Sequence, residues 1–165
     1  MKLSYISLKV FDLQRSIEFY ERYIGLVLLE RDENSASLGI DNKILLKINS
    51  SLDFYPSSEY HTGLYHFALL LPSEEDLANY LQYIIDNQYQ ILGASDHLFS
   101  QAIYLNDPDG HGIEIYADRD KETWQYDRNG YLISASDPIN LEQLLSKQNK
   151  QWVHVPKDTR LGHVH

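Results

Sequence analysis

Asp107-Pro108-Asp109-Gly110-His111-Gly112-Ile113-Glu114-Ile115-Tyr116 reads as a tight turn running into a β-strand. Pro presets its φ, Asp bonds its own backbone and Gly accepts a positive φ, so the turn chemistry is explicit. In the strand that follows, Ile113 and Ile115 point to one face and Glu114 and Tyr116 to the other. A carboxylate on the inner face of a strand is uncommon unless it is paired, opens onto a cavity or binds a metal. Glu114 is therefore the first candidate functional residue.

Upstream of this strand the chain repeats itself. Tyr5–Val10 alternates, with Ile6, Leu8 and Val10 on one face. Asp12 offers an N-cap, Leu13, Ile17, Tyr20 and Ile24 follow at helical spacing, and Gly25 stops the helix. Three strand-like runs come next, 26–31, 35–40 and 43–49, with Asp41-Asn42 as a turn. The order then recurs. Tyr65–Leu71 alternates and ends at Pro72, Ser73 with Asp76 makes a capping box, and Leu77, Leu81, Ile84 and Ile85 form a helical stripe. Runs 89–93, 100–105 and 113–117 supply three more strands. Tyr5 and His66 hold the same place in the two units, as do Asp12 and Ser73. Each unit, 3–50 and 63–118, is βαβββ, and neither covers both faces of its own sheet, so the two should pack together.

Residues 119–165 are more polar. Ser136-Asp137-Pro138 leads into a short helix with Leu141, Leu144 and Leu145 as its apolar face, and 148–158 has the look of a linker. Leu161-Gly162-His163-Val164-His165 begins another strand pattern. It is expected to be either the start of a truncated second domain or a short strand with no partner.

Composition narrows the function. A chain of 165 residues, 43% hydrophobic and 23% charged, suits an ordinary globular domain with an extension. A net charge of −10 with scattered basic residues argues against nucleic acid or an anionic membrane as partner. Having no cysteine rules out disulfides, thiolate metal sites and a Cys nucleophile, and fits a cytoplasmic location. The 13 tyrosines suggest that some line a pocket or an interface. Dinucleotide-fingerprint and nucleophile-elbow motifs are missing.

The two βαβββ units, with Asp12-Leu13, Ser16–Tyr20, Gly25-Leu26, Gly63–Ala68 and the 107–116 segment, resemble the vicinal oxygen chelate superfamily of glyoxalases, bleomycin-resistance proteins and extradiol dioxygenases. Residues 64–71, 93–97 and 112–119 are most similar to the N-terminal half of two-domain catechol 2,3-dioxygenases. The resemblance implies an α+β fold in which two units form a curved mixed sheet around a cavity. Metal-binding members take ligands from the first and last strands of each unit, which carried over residue by residue gives Tyr5, Leu45, His66 and Glu114. Only His66 and Glu114 are good ligands: leucine cannot bind, and a tyrosine with a pKa near 10 gives up its proton reluctantly. They could be a vestigial hydrogen-bonded pair with Tyr5 nearby, or hold a divalent metal, of which Fe(II) is the one implied. By the same resemblance His163 is an iron ligand of a second domain and binds only with that domain. His97 could line the cavity mouth. His61, His111 and His154 read as loop or linker residues.

The expected function is thus the non-catalytic N-terminal domain, or a short relative, of an Fe(II)-dependent extradiol dioxygenase acting on an aromatic diol. The alternative is a stand-alone glyoxalase-like lyase or small-molecule binding protein. A homodimer is possible under either. No catalytic residue is assigned from sequence.

Overall fold

Each repeat folds as a strand, a helix and three strands in the computed structural model, which describes residues 3–51 and 64–165. The first unit comprises β1 (Ile6–Val10), α1 (Leu13–Phe19), β2 (Val27–Arg31), β3 (Ser35–Ile40) and β4 (Lys43–Ser50). Asp12 caps α1 by accepting from the Arg15 amide. After a wider turn over Tyr20–Ile24, Gly25 adopts a left-handed φ of 86° and ends the helix. Asp41 and Asn42 both take positive φ, 52° and 62°, the conformation a tight β3–β4 hairpin requires. The strand order is β1-β4-β3-β2, with β1 parallel to β4.

The second unit repeats the plan with β5 (His66–Leu71), α2 (Glu74–Asp86), β6 (Gly93–Asp96), β7 (Ser100–Asn106) and β8 (Gly112–Asp118). The Ser73 capping box forms: its hydroxyl accepts from the Asp76 amide and donates to the Asp76 carboxylate. One strand differs from expectation. Residues 89–91 lie outside the strand and β6 runs from Gly93, with the Leu92 amide already donating to the Tyr104 carbonyl at 2.7 Å. Gln88 turns the chain with φ 53°, and the Tyr89 ring is drawn back onto Tyr23 and Phe19.

Residues 119–165 pack against the domain instead of running free. They contribute β9 (Asp137–Pro138), α3 (Leu141–Leu145) and β10 (Arg160–Val164). The second sheet becomes six-stranded, β10-β5-β8-β7-β6-β9, so both of its edges are covered by the extension. β10 is antiparallel to β5, which corrects the reading of the terminal strand as partnerless. The linker reading of 148–158 is corrected too: Trp152 and Val155 are buried, Trp152 edge-on against Tyr80, and the Val155 amide donates to the Gly25 carbonyl.

The two curved mixed sheets share one core. Leu8, Ile17, Leu46 and Ile48 from the first unit join Phe67, Leu69, Leu81, Ile113 and Ile115 from the second, with Leu144, Trp152, Val155 and Leu161 from the extension. The 107–111 turn fastens the units to each other. Tyr20, fully buried, donates to Asp107 at 2.8 Å, and Asp109 accepts from the Phe11 amide and pairs with Arg15. His111 is not a free turn residue: its Nδ1 lies 2.8 Å from Asp107, because the turn's own hydrogen bonds bring it back over that carboxylate. The opposite face of the second sheet carries only a small apolar group, Ala68, Leu70, Ala102 and Tyr116, and is where the candidate site lies.

Candidate metal centre

Strand parity places the site. Phe67, Leu69, Ile113 and Ile115 point into the core, so His66 and Glu114 emerge together on the other face of two adjacent parallel strands. His66 Nε2 is 2.9 Å from Glu114 Oε2. His163 reaches the same oxygen from β10, with Nε2 at 3.0 Å, and its Nε2 is 3.2 Å from that of His66. The sequence reading assigned His163 to a site it could form only with a further domain; in the structure it stands beside His66 and Glu114. The two carried-over positions discounted as ligands contribute none: Tyr5, just before β1, is 47% exposed with its ring under the Lys47 ammonium, and Leu45 is fully buried in the core. His61 falls outside the described residues. His154 is exposed in the extension.

With Glu114 ionised, the three ligand atoms form a triangle that ring protons alone satisfy poorly. If both imidazoles present N–H to the carboxylate, the two N–H groups oppose each other across the nitrogen–nitrogen edge. If only one does, the other directs a lone pair at the carboxylate. A cation at the centre satisfies all three edges. The edges of 2.9, 3.0 and 3.2 Å bring all three ligand atoms within reach of a single ion. Two imidazoles and one carboxylate are the donor set of non-haem Fe(II) sites.

Local electrostatics treat the two imidazoles oppositely. Burial pushes His66 below the usual imidazole range, aided by His163 and His165 and opposed by Glu114, so its neutral, lone-pair form is favoured. The hydrogen bond to Glu114 raises His163, outweighing its partial burial. The buried Nδ1 of His66 has no hydrogen-bond partner among the described residues.

A cavity of about 720 Å³ opens beside His66. Leu64 and the exposed Leu92 give it an apolar lining, and Tyr104, His97 and Ser136 a polar one. His97 Nδ1 faces the Ala135 carbonyl at 2.7 Å and must carry the ring proton, so Nε2 accepts from the Tyr104 hydroxyl at 2.9 Å. Burial and the nearby Glu114 hold the Tyr104 proton, pushing its pKa up to about 12. Tyr104 was not singled out from sequence, although a signal exists. The 107–110 turn fixes the β7–β8 register, and that register sets Tyr104 directly opposite Glu114.

Paired βαβββ units with His and Glu on the open face of the sheet define a domain of the vicinal oxygen chelate kind. The chain matches the Glyoxalase/Bleomycin resistance protein/Dioxygenase superfamily over residues 2–115 and belongs to that family. It is 39% identical over 167 residues to the Catechol-2,3-dioxygenase of Bacillus subtilis (strain 168), a match covering 99% of this chain but 58% of that protein. The chain thus spans little more than half the length of that relative. It is 30% identical over 126 residues to Metallothiol transferase FosB of Staphylococcus epidermidis (strain ATCC 12228 / FDA PCI 1200), covering 75% of this chain and 87% of that one. A solved glyoxalase/dioxygenase from Nostoc punctiforme shares the fold, with a TM-score of 0.62 at 24% identity over 72% of this chain and 92% of its own.

Proposed function

We propose that this chain is the metal-bearing part of an extradiol-type catechol dioxygenase. His66, Glu114 and His163 would hold one Fe(II), and the adjoining cavity would take a small aromatic diol. The convergence of three ligand atoms within 2.9 to 3.2 Å of one another carries this reading. It differs from the expectation of a non-catalytic N-terminal domain, which rested on the resemblance and on His66 and Glu114 being the only good ligands in the two repeats. Iron held there would supply Lewis-acid chelation of two vicinal oxygens and activation of O₂.

The chain's own groups have separate tasks. His66 offers a neutral nitrogen, and Glu114 brings the negative charge that offsets the ion. Leu64 and Leu92 present an apolar surface to an aromatic ring. Tyr104 keeps its proton and donates a hydrogen bond through it to His97 Nε2. This leaves the phenol oxygen free to accept from a diol hydroxyl.

The alternative of a stand-alone lyase or transferase draws on the likeness to the metallothiol transferase. A ligand contributed from the first repeat would favour it, but Tyr5, at the position matching His66, meets Lys47 and solvent. The test is anaerobic loading with Fe(II), metal analysis, then addition of catechol and air. About one iron per chain and a yellow ring-cleavage product are expected. Iron that fails to bind, or that binds as well to His163→Ala, overturns the proposal.

A further inference from the structure

Regular alternation along β10 would point His163 the wrong way. Leu161 lies opposite Leu69 and is buried in the core, so Gly162 should face the site, His163 the core and Val164 the site. The pairing does not run evenly. Leu161 pairs with Leu69 and Val164 with Phe67, so three steps along β10 match two along β5. One extra residue is accommodated between them as a β-bulge, and both Gly162 and His163 come to lie on the site face. Ladder pairing resumes at once, with the His165 amide donating to the His66 carbonyl at 2.9 Å.

The bulge depends on a missing side chain. A Cβ at Gly162 would lie 2.6 and 2.7 Å from Cε1 and Cζ of Tyr116, and closer still to its hydroxyl. Real Cβ atoms do not approach so near. Tyr116 cannot easily yield, because it is only 9% exposed, sits among Ala68, Leu70 and Ala102, and its ring also meets that of His163 at 5.4 Å.

We propose that Gly162, by leaving room beside the Tyr116 ring, aims His163 into the metal centre. Gly162 is a positioning residue: it lets β10 bulge against the Tyr116 ring, and the bulge turns His163 from the core face to the site face. The inference rests on the metal reading above only for its consequence, since the aiming itself is a property of the metal-free chain.

The test therefore has two readouts. Co(II) titration of the full chain, followed by its visible absorption, should show Gly162→Ala weakening binding about tenfold or more, the scale on which a displaced supporting contact acts. Tyr116→Ala removes the obstruction, and the double variant Gly162→Ala/Tyr116→Ala should regain affinity close to that of Tyr116→Ala alone. Without metal, the His163 ring-nitrogen NMR signals should respond to Glu114→Gln in the parent and in the double variant, but not in Gly162→Ala. Circular dichroism and thermal melting establish that Gly162→Ala is folded. Should Gly162→Ala keep the response to Glu114→Gln, or the double variant fail to recover it, the aiming role of Gly162 is overturned. Should the NMR pattern hold while the parent binds no Co(II), the aiming stands and the metal proposal falls.

Discussion

His163 Nε2 lies 3.0 Å from Glu114 Oε2, although the two residues are 49 positions apart and His163 comes from an edge strand. Glu114 is fixed by the central ladder and is 3% exposed, whereas His163 is exposed and held by β10 alone. The centre is thus assembled from a rigid part, His66 and Glu114, and a peripheral part that the extension delivers.

This division predicts how ligand substitutions separate. His163→Ala should reduce metal affinity by about 100-fold or more, since it removes a donor outright where loss of a supporting contact alone costs 10- to 100-fold. The melting temperature of the metal-free chain should hardly change, because an exposed ring on an edge strand buries little. Glu114→Ala should abolish binding as well. It should also alter stability, because it leaves two buried or half-buried imidazoles facing each other without the carboxylate. Metal analysis and thermal melts on the same samples check both.

Acid stability should report a different feature. Arg119 donates through two nitrogens to Asp96, at 2.6 and 2.7 Å, and this hydrogen bonding holds the Asp96 carboxyl below its usual range despite partial burial. Because the folded pKa is depressed, the contribution is fully present above the unfolded value of about 3.9 and fades as pH falls through the folded value. Asp96→Asn should cost about 1 kcal/mol at neutral pH, with solvent screening keeping it at the low end for such a pair. That difference should vanish at the acid end of a urea-melt series. A penalty that stays constant down to pH 2 would refute the assignment.

Much of this was readable in the sequence, for physical reasons that also explain the rest. Turn residues and caps act locally, so the hairpin at Asp107, the caps at Asp12 and Ser73 and the helix stop at Gly25 could be placed directly. Period-two alternation set His66 and Glu114 on one face. The same rule fails at His163, because a single extra residue reverses the parity of everything after it. The isolated Gly162 in a strand pattern was the available sign of a bulge. What it could not convey was the Tyr116 ring against which the bulge forms, a contact between residues far apart in the chain. Tyr5, whose offset matches that of His66, is discounted as a ligand by the cost of removing its proton, and its ring lies under the Lys47 ammonium.

The turn that identified the fold should also carry stability. Asp107 accepts from the Tyr20 hydroxyl, the amides of Asp109 and His111, and the His111 ring. Tyr20→Phe removes one donor and should cost about 1 to 2 kcal/mol, because other donors still satisfy the carboxylate. Asp107→Ala strands a buried hydroxyl and two amides at once and should cost at least about 3 kcal/mol. Equal penalties for the two variants would mean that Asp107 does not organise the junction between the units.

The last prediction concerns whether residues 119–165 can be dispensed with. Trp152 is 4% exposed and edge-on to Tyr80, whose ring is fully buried in the helix that backs the second sheet. Trp152→Ala should therefore cost about 3 to 5 kcal/mol, the range for emptying a large aromatic site in a core. That is a large part of the stability of an ordinary domain. A chain ending at Asp118 would lose Leu144, Trp152, Val155 and Leu161 from the same cluster and bare both edges of the second sheet. It should be recovered as aggregate or unfolded chain in light-scattering and circular-dichroism measurements. It should also retain no metal, because His163 leaves with it. A well-folded 1–118 fragment that binds Co(II) as tightly as the full chain would show that the extension neither completes the core nor supplies the third ligand.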